Sequence, residues 1–305
     1  MENIYTSFFI PGLSCAELSL LCMLDYNKID YTLLFWKAYS FKYCPTGNNI
    51  ADNFSFDNYC DLAYDFFSLK RRKMFAESYE KILLELRNGY QALITIDGYE
   101  CPWHWAYKNE HIGHVFFAHN IDDVNNNLLC YDGQFSKHQV QINNEDLKVN
   151  PQHKIEIFLY KPAAEIPSHS NIFKESLEFI LSENSVKDVE LFCNECLTKI
   201  DYEKDFPYKQ NRNMKAPIYG VIQRIGSIRR MYSDFLKKHA RRDYIGDDLL
   251  EKLIYLSGKW QTFNVRLLKN AHLQTQKNEE SLKALLEHIR DEEIMVYNML
   301  SSIKL

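Results

Sequence analysis

The chain has 305 residues, 46% of them apolar, and a formal net charge of −5. That is apolar material enough for one large domain or two ordinary ones, and the acidic balance argues against a general nucleic-acid binder, which carries a basic excess. No stretch approaches the ~20 apolar residues of a membrane-spanning helix, and Met1 to Cys15 lacks the basic start of a secretory signal.

The reading from these absences is a cytoplasmic protein without a membrane partner, whose eight cysteines are reduced thiols. Gly12-Leu13-Ser14-Cys15 has the outline of a lipoprotein cleavage site. It carries Gly where that signal wants a large apolar residue, and no Lys or Arg precedes it. Aromatics make up 14%, chiefly 20 Tyr and 19 Phe, which suits an aromatic-rich core with some rings lining a pocket.

The first predicted element is a helix over 14–26. Pro11-Gly12 breaks the chain before it, Ser14-Cys15-Ala16-Glu17 matches the capping box, and Leu18, Leu21, Cys22 and Leu24 supply an apolar stripe. Residues 31–42 read as a second helix. Residues 43–60, with Pro45, Gly47 and several Asn, read as loop. A helix is predicted over 74–88, stopped by Asn88-Gly89. Strands follow at 91–97, 114–121 and 128–132, the last two joined by an Asp- and Asn-rich hairpin turn, with more at 137–142 and 154–160. Helices followed by an antiparallel sheet make an α+β arrangement. Residues 163–170, with Pro167, read as a linker. Beyond it 171–182, 186–200, 217–240, 246–271 and 276–303 all read as helix. The expected organisation is a catalytic domain over 1–165 and a helical domain over 166–305.

The capping box places Cys15 at the first helical position. Free backbone N–H groups and the positive end of the helix dipole there favour a thiolate and can hold an oxyanion. A nucleophilic Cys needs a base, and His114 opens an apolar strand directly after Gly113 with no local need for polarity. Asp132 ends the next strand and can orient that imidazole. A simple hairpin centred near Asn125 would set Asp132 opposite Ala118, so contact with His114 requires twist, a bulge or a bent strand end. Tyr99, Trp103 and Trp105 precede His114 and are candidate walls of a substrate site. Asp97 is a weaker candidate for an ammonium group.

Other assignments fit less well. His111-x-x-His114 on a strand would point its two rings to opposite faces, which is wrong for a shared metal. Cys193-x-x-Cys196 has no second pair to complete a zinc site. Cys101 and Cys130 lack a helix start. With ten Gly in the chain there is no phosphate-binding glycine loop. The basic run Arg229, Arg230, Lys237, Lys238, Arg241 and Arg242 reads as a solvated helix face or as a dock for an acidic partner.

The order of motifs is Gly-Leu-Ser-Cys15-Ala, then Leu86-Arg-Asn-Gly-Tyr-Gln-Ala-Leu-Ile-Thr-Ile-Asp97, Cys101-Pro102, Gly113-His-Val-Phe-Phe-Ala-His, and Cys130-Tyr-Asp132. Over residues 10–160 this resembles the N-terminal domain of the butirosin-biosynthesis H protein family. It is also similar to the C39-type, double-glycine-leader cysteine peptidases. The resemblance implies a papain-like (C39-like) fold with an antiparallel sheet. It implies Cys15 as nucleophile, His114 as base and acid, and Asp132 as orienter. It further implies an amide-forming acyltransferase of natural-product biosynthesis. An acyl group would come from a thioester on a phosphopantetheinyl acyl or peptidyl carrier protein and pass through Cys15 to a small amine. No metal and no further cofactor is implied. The alternative is a papain-like peptidase or amide hydrolase. Such peptidases commonly carry an oxyanion-donating Gln before the Cys, where this chain has Phe8, Phe9 and Ile10.

Overall fold

The capping box forms and fixes where the first helix begins. Glu17 N–H donates to Ser14 Oγ (3.3 Å), and the Glu17 carboxylate accepts from Ser14 N–H (2.8 Å), so α1 runs Cys15–Tyr26. The computed structural model describes residues 9–40, 42–46, 51, 54–67, 69–76, 79–135, 139–143, 155–161, 171–183, 185–200, 206, 217–273 and 276–304. The predicted linker at 163–170 lies outside the described residues, as does Phe8.

Among the described residues the chain is mixed α+β, with two antiparallel sheets. It divides into two units: residues 1–31 with 58–168, and residues 32–57 with 169–305. In the first unit, α2 (Tyr59–Phe66) and α3 (Tyr79–Arg87) accompany α1. A six-stranded sheet is built from β3 (Lys70–Ala76), β4 (Gln91–Asp97), β5 (Gly113–Asp122), β6 (Asn127–Tyr131), β7 (Val140–Ile142) and β8 (Ile155–Lys161). Its order is β3-β8-β4-β5-β6-β7.

Alternation along β5 divides its side chains between two helices. Phe116 and Ala118 pack with Tyr79, Ile82, Leu83 and Leu86 of α3. Phe117 meets Tyr26 of α1 edge-on, ring centres 5.8 Å apart, and Ser19 of α1 donates to the Val115 carbonyl at 3.0 Å. Tyr79 pins the hairpin from the α3 side: its hydroxyl accepts Leu128 N–H at 3.1 Å and lies 2.8 Å from the Ile142 carbonyl. Gly89, at φ 83°, ends α3 in the left-handed conformation that Gly alone adopts cheaply.

Three expectations about elements are corrected. Residues 74–76 are strand rather than helix, because Lys70–Ala76 pairs along its length with β8, and α3 begins only at Tyr79. Residues 31–42 are not one helix. A 3₁₀ turn covers Tyr31–Phe35, and Lys42–Tyr43 forms β1, paired with β2 (Phe54–Ser55) inside the supposed loop. The same supposed loop also holds the first two residues of α2.

The second unit contains β1 and β2 with α4 (Ile172–Ser182), α5 (Ser185–Lys199), α6 (Pro217–His239), α7 (Asp247–Leu273) and α8 (Gln276–Ser301). Segment 32–57 thus groups with the C-terminal helices rather than with the residues that flank it in the chain. Tyr43 and Phe54 set their rings 5.4 and 5.0 Å from Phe192 of α5. Arg229 of α6 donates to the carbonyls of Ala38 (3.2 Å) and Tyr39 (2.6 Å). Arg229 therefore leaves the expected basic surface. It is fully buried and bonds Glu293 of α8 at 2.8 Å, where Trp260 of α7 donates to the same oxygen.

Removing one partner of a buried ion pair leaves a desolvated charge, which costs about 3–5 kcal/mol. Arg229→Ala is expected to lower the stability of the second unit by that amount in urea denaturation followed by circular dichroism. A loss under ~1 kcal/mol would mean that Glu293 is neutral or solvated without its partner.

Candidate active site

Cys15 opens α1, and the first turn of the helix supplies its surroundings. Ser14 takes the Glu17 N–H, and Leu18 N–H bonds the Ser14 carbonyl. The N–H groups of Cys15 and Ala16 are not used by the described hydrogen bonds, so two donors remain beside the sulfur. The thiol is partly exposed, whereas Cys101 and Cys130 are fully buried. Burial, then the Asp132 charge, pushes the Cys130 thiol well above its ordinary range. Cys22, on the same helix, is pushed up to about 12, first by burial and then by Asp132.

His114 pairs with Ile96 across β4 and β5. On its other side the register slips by one at His119: Asn120 faces Leu129, but Ala118 faces Cys130. This β-bulge resolves the expected mismatch. Asp132, one step past the Phe117–Tyr131 pair, becomes a diagonal neighbour of His114 rather than a partner of Ala118. His114 Nε2 lies 2.6 Å from Asp132 Oδ2, and both side chains are 1% exposed. The other ring nitrogen, Nδ1, takes no part in that bond, and the Cys15 side chain is close enough to raise the pKa of the same ring. The structure thus brings Cys15, His114 and Asp132 together, with a hydrogen bond between the last two and an electrostatic coupling between the first two.

The Asp132 carboxylate is saturated. Oδ1 accepts N–H groups of Gln134 (2.9 Å) and Phe135 (3.1 Å). Oδ2 accepts the Trp103 indole N–H at 2.7 Å in addition to His114. Gly133 permits the close approach of this corner to α1, since a Cβ there would stand 3.0 Å from Cys22 Sγ. Burial alone would push His114 below its usual 6.5. The hydrogen bond that Asp132 accepts, and the influence of Cys15 and of both charges, outweigh burial and lift it to about 9. For Asp132 burial acts upward, but the bond and charge of His114, with Trp103 and the Gln134 N–H, hold it below 3.8. The arrangement sets a sulfur nucleophile, an imidazole drawn toward its charged form, an anionic orienter and two backbone donors together.

The candidate wall residues separate. Trp103 reaches the site directly through its indole. Trp105 stands against His104, ring centres 5.1 Å apart, and His104 lies 4.5 Å from the His114 ring. Tyr99 stacks on His111 at 4.4 Å, beside Lys108. Asp97 is occupied at the same loop: it bonds His111 Nδ1 at 2.7 Å and accepts N–H groups from Tyr99 and Ile112. His111 and His114 therefore serve different carboxylates. Among the described residues no three His, Cys, Asp or Glu gather as a metal site. No spacing rule in the sequence marks His104, because it lies in the excursion over residues 98–112 between β4 and β5.

No protein-family model matches the chain, and no curated protein gives a significant match. Among the described residues no helix is long and apolar enough to cross a membrane.

The pH dependence of stability follows from the two shifts. His114 titrates higher in the folded chain, so its contribution is complete below about 6.5 and is lost as pH rises through about 9. Asp132 titrates lower, so its contribution is complete above 3.8 and is lost on further acidification. Urea midpoints of the wild-type chain are expected to fall between pH 6.5 and 9, and His114→Gln is expected to flatten that fall. Equal slopes for the two proteins would contradict the assignment.

Proposed function

We propose that the chain is a cysteine acyltransferase with a papain-like first unit, related in kind to the butirosin-biosynthesis H protein family. The observation that carries this reading is the meeting of Cys15, His114 and Asp132 at the start of α1, with His114 hydrogen-bonded to Asp132 and electrostatically coupled to Cys15. The sulfur attacks the carbonyl of a thioester presented on a carrier protein. The carrier thiolate leaves and takes the proton of His114, which gives an acyl-Cys15 thioester and a neutral imidazole. An amine then attacks that thioester and gives its proton to His114, and the Cys15 thiolate leaves as the amide forms. Asp132 stays anionic throughout and holds the imidazole in one orientation. The Cys15 and Ala16 N–H groups stabilise the oxyanion of both tetrahedral intermediates.

Two features favour a thioester over a peptide as the acyl donor. The region before Cys15 lacks the Gln of papain-like peptidases, and a thioester is intrinsically more reactive than an amide. Transfer to an amine requires a site that limits water, and His114 and Asp132 are themselves shielded from it at 1% exposure.

The test is intact-protein mass spectrometry with acyl-carrier thioesters. The wild-type chain is expected to gain one acyl group on Cys15 and to lose it, as amide product, on addition of amine. Cys15→Ala should gain none, and Cys101→Ala should behave as wild type. Release at the same rate without amine would make the protein a hydrolase. Loading that survives in Cys15→Ala would remove Cys15 from the mechanism.

A further inference from the structure

The excursion between β4 and β5, residues 98–112, returns to the triad at two consecutive side chains. Trp103 donates its indole N–H to Asp132 Oδ2 at 2.7 Å, while its ring packs edge-on against Phe116, ring centres 5.7 Å apart. His104 is buried at 5% exposure, with its ring 4.5 Å from that of His114 and 4.4 Å from Phe135. The two contacts use different chemistry: a hydrogen bond to the acid, and a tilted ring contact with the base.

The turn is built to hold them. His104 Nδ1 accepts the Ala106 N–H at 3.0 Å, so that nitrogen carries no proton and the ring is neutral. A neutral ring is what the site requires there, because a second cation so close to His114 would oppose its charge. Gly98 leaves room for this ring, since a Cβ would stand 2.9 Å from His104 Nδ1 and from Ile112 Cγ2. At the base of the excursion Gly98 N–H bonds the Ile112 carbonyl at 2.6 Å, and Asp97 bonds His111.

We propose that Trp103 and His104 are the positioning residues of this site, one fixing the direction of the Asp132 carboxylate and the other the plane of the His114 ring. The proposal rests on the reading of Cys15, His114 and Asp132 as the reacting groups. It adds that the sheet alone does not set their geometry: the excursion does. Trp103 is thus a donor to the acid rather than a substrate wall. Among the described residues the titratable groups facing His114 are Cys15 from α1, Asp132 from the end of β6 and His104 from the excursion.

The test reads the imidazole directly. In the full chain with 15N-labelled histidine, the His114 signals are followed by NMR across neutral and alkaline pH, with His114→Gln for assignment. Trp103→Phe keeps a ring against Phe116 and removes one N–H. It is expected to lower the His114 midpoint by about one pH unit, as a weakened ion pair does. An unchanged or raised midpoint would overturn the Trp103 assignment, because the indole would then compete with His114 for Oδ2. His104→Ala is expected to lower the midpoint similarly, and His104→Phe to restore most of it. Restoration by His104→Asn and not by Phe would mean that His104 acts only as acceptor for Ala106 N–H, which overturns its role. In the wild-type chain the Trp103 indole N–H signal should move in step with the His114 titration. Indifference to it counts against the proposal even if a variant fails to fold. None of these readouts involves a thioester. Shifts in a chain that no thioester loads would leave the positioning intact and remove the transferase reading.

Discussion

A carboxylate at 1% exposure is tolerable only when its charge is matched on every side, and Asp132 meets that condition with four donors. Two are backbone N–H groups of its own turn, one is an indole and one is an imidazole. The backbone pair fixes where the carboxylate sits, and the side-chain pair fixes what it does. Because the anion is held in place before any ligand arrives, His114 is drawn toward its charged form, and Cys15 has a cation beside it. The bulge at His119, the small corner at Gly133 and the excursion that carries Trp103 each serve this one junction.

The helix that bears Cys15 contributes in a different way. Its capping box commits Ser14 and Glu17 to each other and leaves the next two N–H groups uncommitted. A helix start that satisfied all its donors internally would have nothing to offer an oxyanion. The local sequence therefore settles both where the helix begins and which of its polar groups face outward.

Much of this was legible in the residues. Ser14-Cys15-Ala16-Glu17 announces a helix start with a cysteine in it, and the apolar run after Gly113 announces a strand with a histidine at its mouth. The long C-terminal helices were readable from spacing within a few residues at each end. What was not legible depended on contacts far apart in the chain. Residues 74–76 look like the start of a helix, yet they belong to the edge strand Lys70–Ala76 of the sheet, paired along its length with β8. Arg229 looks like part of a basic surface until Glu293, Trp260 and the carbonyls of Ala38 and Tyr39 enclose it. The bulge that brings Asp132 to His114 has no glycine signal, and the partner of an indole N–H cannot be read from spacing. The fold class was accessible, the Cys–His–Asp set was nameable, and the residues that hold it were not.

The division of the chain into units also bears on the order in which it is synthesised. The second unit takes residues 32–57 but is not finished until α8, whose last residue is Ser301. Tyr39, Tyr43 and Phe54 therefore leave the ribosome long before Phe192, Arg229 and Glu293 exist to cover them. Through that interval an aromatic segment, tethered to the helix that bears the thiol, waits for its partners, and a stalled or shortened chain would present it to other molecules.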